Sequence, residues 1–593
     1  MARTSSSGHG KLILKNVNGI ARPGELLAIM GSSGAGKTTL LNVLTGRSSP
    51  RLVVSGMQCA NGVRITSNVL TSMLAYVQQE DLFIGTLTVK EHLIFQALVR
   101  MDKHIPYKRR MERVQEVIVA LGLAKCENTT IGIKGRRKGI SGGEMKRLSF
   151  AAEILTNPSL MFCDEPTSGL DSFMAMNVVQ VLKELAQLGK TVVCTIHQPS
   201  SELYEMFDKI LLMAEGRVAF LGTPREAENF CAALGAPCPK NYNPADYFMQ
   251  LLAIVPNQEE DCKQVVNMMC DAFAGSGYGM KLAAEAGAVV SKQLWEKEVY
   301  KPGDSFNGKR RTPYKASWCA QFSAVLWRSW LAVVKEPLLM KMRVIHTLVL
   351  AIVVAIVYFG QSLTEEGVMN INGAIYLLIL NMSFQNVIPV INVFCQELPV
   401  FLREHKNGMY RTDVYFLCKT LAELPLFVAL PLLTVAICYY TIGLNPYVSR
   451  FLIAAGILVL IANTAVSFGY LVSCLSSSIA MALSLAGPLM IPIMLFGGFF
   501  MNLDSIPKYF RWISYLSWIR YGFEGLMVNQ WEGVNHINCT ENMACPQNGT
   551  MVLDTYSLSE SDVTTACLSL LGLTCLFRLI AYLSLLLKTY TLE

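Results

Sequence analysis

Charge is what this sequence most lacks. Only 16% of its 593 residues are Asp, Glu, Lys or Arg, against about a quarter in soluble domains, while 52% are hydrophobic and the mean hydropathy is +0.36. That balance excludes a chain that is soluble throughout. The Lys and Arg residues leave a net charge of +7 and are not interleaved with aromatics in a patch, which argues against nucleic acid as a partner; cytoplasmic loops facing anionic lipid suit them better. Paired Cys-x-x-Cys spacing is missing among the 17 cysteines, so no zinc signal is present, and most of them fall where Cys acts as a small hydrophobe. No cleavable leader is expected either, since Met1–Gly10 is polar and rich in Ser and Gly. No long apolar run precedes residue 343, so everything before it is expected to stay cytosolic. The length suits two or three domains.

What is present begins with a short, wholly apolar stretch, Leu26–Met30, of the kind that makes a strand buried on both faces. Gly31, Ser32, Ser33, Gly34, Ala35, Gly36, Lys37, Thr38 and Thr39 follow at once, and Thr39–Leu44 has helical spacing. Strand, glycine loop and helix are the setting a phosphate loop requires. Its backbone N–H groups and helix start attract phosphate; Lys37 reaches the β- and γ-phosphates and the Thr38 hydroxyl ligates Mg²⁺. A second buried strand, Ser159–Cys163, ends in Asp164-Glu165. Asp164 is placed to hold Mg²⁺ through water, and Glu165 to orient or deprotonate the attacking water. A third, Thr191–Ile196, ends at His197, and ligand-contacting residues of open α/β sheets collect at that edge; His197 is the candidate partner of the γ-phosphate. Gln79 opens a polar loop after a further strand, Ser72–Val77. As a lone residue it would read as a surface amide.

Between Gln79 and residue 141 the chain turns helical and basic, over Leu93–Met101 and Arg109–Leu121. Ser141-Gly142-Gly143-Glu144 then reads as a helix start with a capping box, and that plain reading is physically adequate alone. The ordered set of phosphate loop, Gln79, Ser141–Glu144, Asp164-Glu165, Asp171 and His197 resembles the ATP-binding cassette of ABC transporters. The resemblance implies ATP and Mg²⁺ as cofactors. It makes Gln79 the loop glutamine beside Mg²⁺, Ser141–Glu144 the signature that serves a partner's nucleotide, Asp171 the D-loop residue and His197 the switch histidine. Met145 stands where a basic residue is expected, and no aromatic stands near Lys11–Lys15 to stack adenine, which leaves room for GTP.

The expected architecture is an α/β P-loop cassette, a RecA-like core plus a helical subdomain, over residues 1–240. A polar linker follows at 241–317, then an amphipathic interfacial helix at 318–336. An all-α transmembrane domain with six helices fills 337–593, with apolar runs near 343–360, 374–395, 417–441, 451–473, 480–501 and 565–587, each close to the ~20 residues a bilayer needs. Arg403, Lys406 and Arg411 put the loop after the second run inside, whereas Glu365 and Glu366 put the loop before it outside. The segment 502–563 is the long outside loop. Trp512, Tyr515, Trp518 and Tyr521 suit the interface there, Asn538 and Asn548 stand in glycosylation sequons, and Cys539 and Cys545 are either a small disulfide or two free thiols.

A cassette before six crossings, with a long final loop, resembles the ABCG, or White, subfamily; KNVNGIARPGELLAIMGSSGAGKTTLLN, TIHQPSSELYEMFDKILLMAEGRVAFLGTP, MNINGAI and SYLSWIRY carry the likeness. It implies a half-transporter that pairs with a second ABCG half and moves tryptophan- or guanine-derived eye-pigment precursors. Pigment-granule or other vesicle membrane is implied, with plasma membrane the alternative. By the same resemblance the second and fifth runs line a central cavity, where Asn381, Phe384, Ile491, Leu495 and the Phe499-Phe500 pair are the candidates; for any one of them ordinary packing is the competing reading. The start lies close to the cassette, so an N-terminal segment is expected to be missing or spliced out. Two other functions stay open: a homodimeric sterol or phospholipid exporter, and a non-transporting ABC regulator or channel.

Overall fold

The computed structural model describes residues 2–4, 12–47, 52–64, 74–79, 81–132, 138–295, 314–501, 506–538, 546–558 and 561–592. They form two compact units, Met1–Lys315 and Ala316–Glu593.

The first unit is built on a six-stranded sheet. Its strands are β1 (Leu26–Gly31), β2 (Leu74–Val77), β3 (Leu160–Cys163), β4 (Thr191–Thr195), β5 (Lys209–Ala214) and β6 (Arg217–Gly222), in the order β6-β5-β1-β4-β3-β2. All neighbours run parallel except the β5–β6 hairpin. β1 and β4 are buried at every position, as the continuous apolar reading of their sequence requires. This order sets the carboxyl ends of β1, β4, β3 and β2 side by side. The insertion between β2 and β3 is helical, with Val89–Arg100, Tyr107–Ala120 and Gly142–Ile154. Arg110 ties its turns by donating to the carbonyls of Ile105, Leu98 and Asp102, and Arg100 makes a two-pronged pair with Glu153 at 2.8 and 2.6 Å.

The linker reading is corrected over much of its length. Pro244–Leu251, Glu259–Gly275 and Gly277–Trp295 are helices. Val266, Met269, Cys270 and Phe273 form one buried stripe at helical spacing, and Phe273 packs edge-on against Phe220 and Phe230, at 5.6 and 6.1 Å between centroids. The polar composition of the segment belongs to its outer face, which hid that stripe. Residues 296–313 lie outside the described residues.

Among the described residues of the second unit five helices are long and apolar enough to cross a membrane, within Pro337–Val357, Glu365–Lys406, Thr412–Ile442, Val448–Leu475 and Val563–Leu592. The fifth apolar run is helical only over Ile479–Leu495, shorter than the others, so Phe499 and Phe500 lie past its end. Trp318–Val334 is helical too. The expected outside loop is itself partly helical, over Arg511–Leu516, Trp518–Trp531 and Gly549–Thr555. Trp512 and Tyr515 are exposed as an interfacial residue would be, but Trp518 and Trp531 are fully buried. Their indole N–H groups donate to Ser383 Oγ at 2.9 Å and Asn372 Oδ1 at 2.8 Å, both on Glu365–Lys406. A Cβ at Gly522 would lie 2.5 Å from Ile461 Cδ1, so glycine lets this helix seat against Val448–Leu475.

Buried charge in this unit is paired. Lys419 Nζ lies 2.7 Å from Glu397 and 2.9 Å from Glu423; Tyr470 donates to Glu423 at 2.5 Å, and Arg328 pairs with Glu404 at 2.6 Å. Removing the packing of Glu259–Gly275 tests the corrected boundary. Phe273→Ala is expected to destabilise the first unit by about 3–5 kcal/mol, lowering the first thermal transition of the detergent-purified chain, while Glu260→Ala on the exposed face leaves it in place.

Candidate nucleotide site

The chain leaves β1 at Gly31, where a Cβ would lie 2.3 Å from the Met213 carbonyl oxygen. Gly34 and Gly36 turn through the left-handed region, at φ +81° and +97°, and the helix Lys37–Leu44 begins. Ser32, Ser33, Ala35 and Thr39 complete the loop, with the Ala35 N–H on Ser32 O at 3.1 Å. Lys37 is buried, and its Nζ donates to Gly31 O at 2.7 Å and Ser32 O at 3.1 Å. Burial pushes its ammonium below the ordinary lysine value, against the pull of Glu165 and Asp164. A buried ammonium held by neutral carbonyls, over a glycine turn at a helix start, has the donor chemistry of a phosphate site.

Asp164, at the end of β3, is the hub. Its Oδ1 accepts from Thr195 Oγ1 at 2.7 Å and Thr38 Oγ1 at 3.3 Å, and its Oδ2 from Tyr76 OH at 3.4 Å. The Thr195 hydroxyl accepts in turn from the Glu165 N–H at 2.8 Å. Glu165 is held at φ +45°, a conformation that costs a bulky residue about 1–3 kcal/mol and is found at functional sites. Gln79 Nε2 donates to Glu165 Oε2 at 2.7 Å. Lys37, Thr38, Gln79, Asp164 and Glu165 are thus one connected site. His197 is exposed just beyond β4, after Ile196, whose N–H bonds Ile29 O at 3.0 Å. Among the described residues no His, Cys, Asp and Glu cluster could hold a metal by itself. The hydroxyl, carboxylate and amide oxygens of Thr38, Asp164 and Gln79 are hard ligands that suit Mg²⁺ only when phosphate oxygens share the shell.

Ser141–Glu144 shares no hydrogen bond with these groups among the described residues. Ser141 Oγ accepts from Glu144 N at 3.3 Å, and Glu144 Oε2 accepts from Ser141 N at 2.8 Å. This is the capping box, and it starts Gly142–Ile154. Burial would raise the Glu144 carboxyl, but the Ser141 and Cys126 hydrogen bonds and Arg147 hold it below its ordinary range. Ser141 and Gly142 face solvent. Gly143 packs on Met174, where a Cβ would lie 3.0 Å from the sulfur, and the Met174 N–H is capped by Asp171 Oδ1 at 2.8 Å. Signature and Asp171 therefore meet through one glycine contact.

In the second unit Phe384, Ile491, Leu495 and Phe500 are exposed and Asn381 is half-buried. Phe499 is half-buried: it stacks on Tyr376 at 4.6 Å, packs on Phe523 at 5.8 Å and meets the exposed Phe500 edge-on at 5.5 Å. Asn538 is exposed, with its N–H on Leu363 O at 2.9 Å, and Asn548 caps Gly549–Thr555. Cys539 and Cys545 lie outside the described residues. Sequence reasoning missed Thr195, Tyr76, Lys146 and Asp81. A hydroxyl at the last position of a buried strand was the available signal for Thr195.

Residues 14–168 match the family described as ABC transporter, and residues 197–280 and 320–531 match families described as ABC-2 type transporter. The protein white of Drosophila melanogaster is 54% identical over 583 residues, which cover 98% of this chain and 83% of that protein. The chain belongs to the White-type, or ABCG, family of ABC half-transporters. The White-type relative wht-1 of Caenorhabditis elegans, an ABC transporter ATP-binding protein/permease, is 41% identical, covering 98% of this chain and 88% of its own. Protein scarlet of Drosophila melanogaster is 37% identical, covering 98% and 87%. As an ABCG half-transporter this membrane protein couples ATP hydrolysis to transport, and members of the family work as dimers.

The hub makes a specific demand on Thr195. Thr195→Val keeps the shape of the side chain but leaves a buried carboxylate oxygen and an N–H short of a partner, at about 1–2 kcal/mol. The Mg²⁺ concentration for half-maximal ATP turnover is expected to rise about tenfold, read by titrating Mg²⁺ at saturating ATP.

Proposed function

We propose that this chain pairs with a different ABCG half to move small aromatic metabolites, tryptophan- or guanine-derived pigment precursors, across a pigment-granule or related vesicle membrane. The observation that carries the paired reading is that Ser141 and Gly142 are exposed and Ser141–Glu144 closes its hydrogen bonds in a local capping box, with none to Lys37, Thr38, Gln79, Asp164 or Glu165. A chain with one cassette has a nucleotide site without a signature over it, and a signature without a nucleotide beneath it. Similarity to both white and scarlet favours a heterodimer of two such halves.

Each residue then has a task. Lys37 exchanges its loop carbonyls for the β- and γ-phosphates. Thr38 and Asp164, with Gln79 beside them, would hold Mg²⁺, which would neutralise phosphate charge there. Glu165 orients the attacking water and accepts its proton, with Gln79 fixing the carboxylate, and His197 donates to the γ-phosphate. Ser141, Gly142, Gly143 and Glu144 close over the partner's nucleotide, beside Asp171. The closed pair favours one facing of the membrane halves, and hydrolysis releases it.

The membrane part of the proposal uses four exposed side chains and the half-buried Asn381. Asn381 and Phe384 on Glu365–Lys406, Ile491 and Leu495 on Ile479–Leu495, and Phe500 beyond it face the central cavity, where Phe faces suit flat aromatic cargo. The cassette and both termini are cytosolic, and Asn538 and Asn548 carry glycans on the other side.

Two variants in the assembled pair test this. Glu165→Gln is expected to lower ATP turnover about 100-fold or more while ATP binding persists, and transport falls with it; normal turnover would reject the role of Glu165. Phe384→Ala is expected to reduce flux of tryptophan- and guanine-derived precursors in vesicles with ATP turnover retained. Unchanged flux of every precursor would remove the cavity assignment, and full activity of the chain purified without another half would replace the heterodimer with a homodimer.

A further inference from the structure

Two residues beyond the signature, the helix Gly142–Ile154 buries a lysine. Lys146 is only 4% exposed. Its Nζ donates to the Gln79 carbonyl oxygen at 2.6 Å and lies 3.1 Å from Asp81 Oδ2. Asp81 Oδ1 accepts from Ser149 Oγ at 2.6 Å, and Ser149 stands three residues after Lys146, on the same helix face. A buried ammonium is tolerated only when paired and hydrogen-bonded, and both partners here belong to the loop that carries Gln79. The Gln79 side chain in turn reaches Glu165 at 2.7 Å. One continuous line of contacts therefore runs from the signature helix, through Lys146 and the backbone of Gln79, to the carboxylate assigned to water activation.

We propose that Lys146 is a positioning residue for ATP hydrolysis: it clamps the Gln79 loop to the signature helix, so that the helix sets where Gln79 holds Glu165. This rests on the ATP-sandwich reading above. It gives the closure of a signature over the partner's nucleotide a direct route to the water-activating group of this chain's own site. Met145 has no part in the clamp; the contact belongs to the next residue along the helix.

The test uses the full-length chain in its assembled transporter. Lys146→Met keeps the aliphatic stem and removes the donor. The expected result is a fall in kcat for Mg-ATP of about tenfold to a hundredfold, with affinity for a fluorescent ATP analogue unchanged. Lys146→Arg, which can reach both oxygens, restores kcat. On a Gln79→Ala background Lys146→Met produces no further fall, because it acts through Gln79. Three results would overturn the clamp: a normal kcat in Lys146→Met; a joint loss of kcat, analogue binding and thermal midpoint that Arg does not rescue; or a full additional loss on the Gln79→Ala background. Normal turnover in Glu165→Gln would overturn the hydrolysis reading and the clamp together, whereas turnover that depends on Glu165 but ignores Lys146 overturns the clamp alone.

Discussion

A single carboxylate organises the first unit. Asp164 is buried at the end of β3 and accepts from three hydroxyls, those of Thr38, Tyr76 and Thr195. Each comes from a different element: the helix after the phosphate loop, β2 and β4. A buried carboxylate is stable only when its lone pairs are filled, so those elements are locked in register by its demand. The same carboxylate fixes Glu165 through Thr195, because one hydroxyl both donates to Asp164 and accepts the Glu165 N–H. Structural tightness and chemical placement here have one cause.

The signature obeys a different rule. Its hydrogen bonds are local and complete within a capping box, so Ser141 presents its hydroxyl at the surface without a buried hub to hold it. Its precision comes from Gly143 against Met174 on one side and from Lys146 against the Gln79 loop on the other. On the paired reading proposed above, this half-site is held by its own chain before any partner arrives. Less ordering is left to be done on association, which is what preorganisation means for an interface.

What could be read in the sequence was what is continuous in the chain. The strand–glycine loop–helix around Gly31–Thr39 and the apolar strands ending at Asp164 and His197 were legible because the residues that form them are neighbours. Thr195 and Tyr76 were not, since each matters through a bond to a residue 31 or 88 positions away. The helix Glu259–Gly275 was hidden by averaging with the polar stretch after it, while four buried apolar positions, Val266, Met269, Cys270 and Phe273, decide its place. Trp518 misled for a physical reason, because an aromatic ring with one polar N–H suits an interface and a core equally well. Only the partner, Ser383 Oγ from a helix 135 positions earlier, decides between them.

The second unit meets the buried-polar problem with the opposite economy. A charge buried between helices has no water to answer it, so Arg328, Glu404, Lys419 and Glu423 are paired from within the unit. Lys419 shows how far that goes: two carboxylates, Glu397 and Glu423, converge on it, and Tyr470 donates to one of them. Pairs of this kind contribute little net stability, because desolvation consumes most of the attraction. Their effect is on alternatives. A helix that slides or rotates strands a buried charge without its partner, so Glu365–Lys406, Thr412–Ile442 and Val448–Leu475 are held to one register even though Leu, Ile and Val would pack in several. The tryptophan anchors to Ser383 and Asn372 add the same kind of constraint for Trp518–Trp531. Motion in this unit is then expected as rigid displacement of a keyed group of helices, since rearrangement within the group would break ion pairs that nothing in the bilayer can replace.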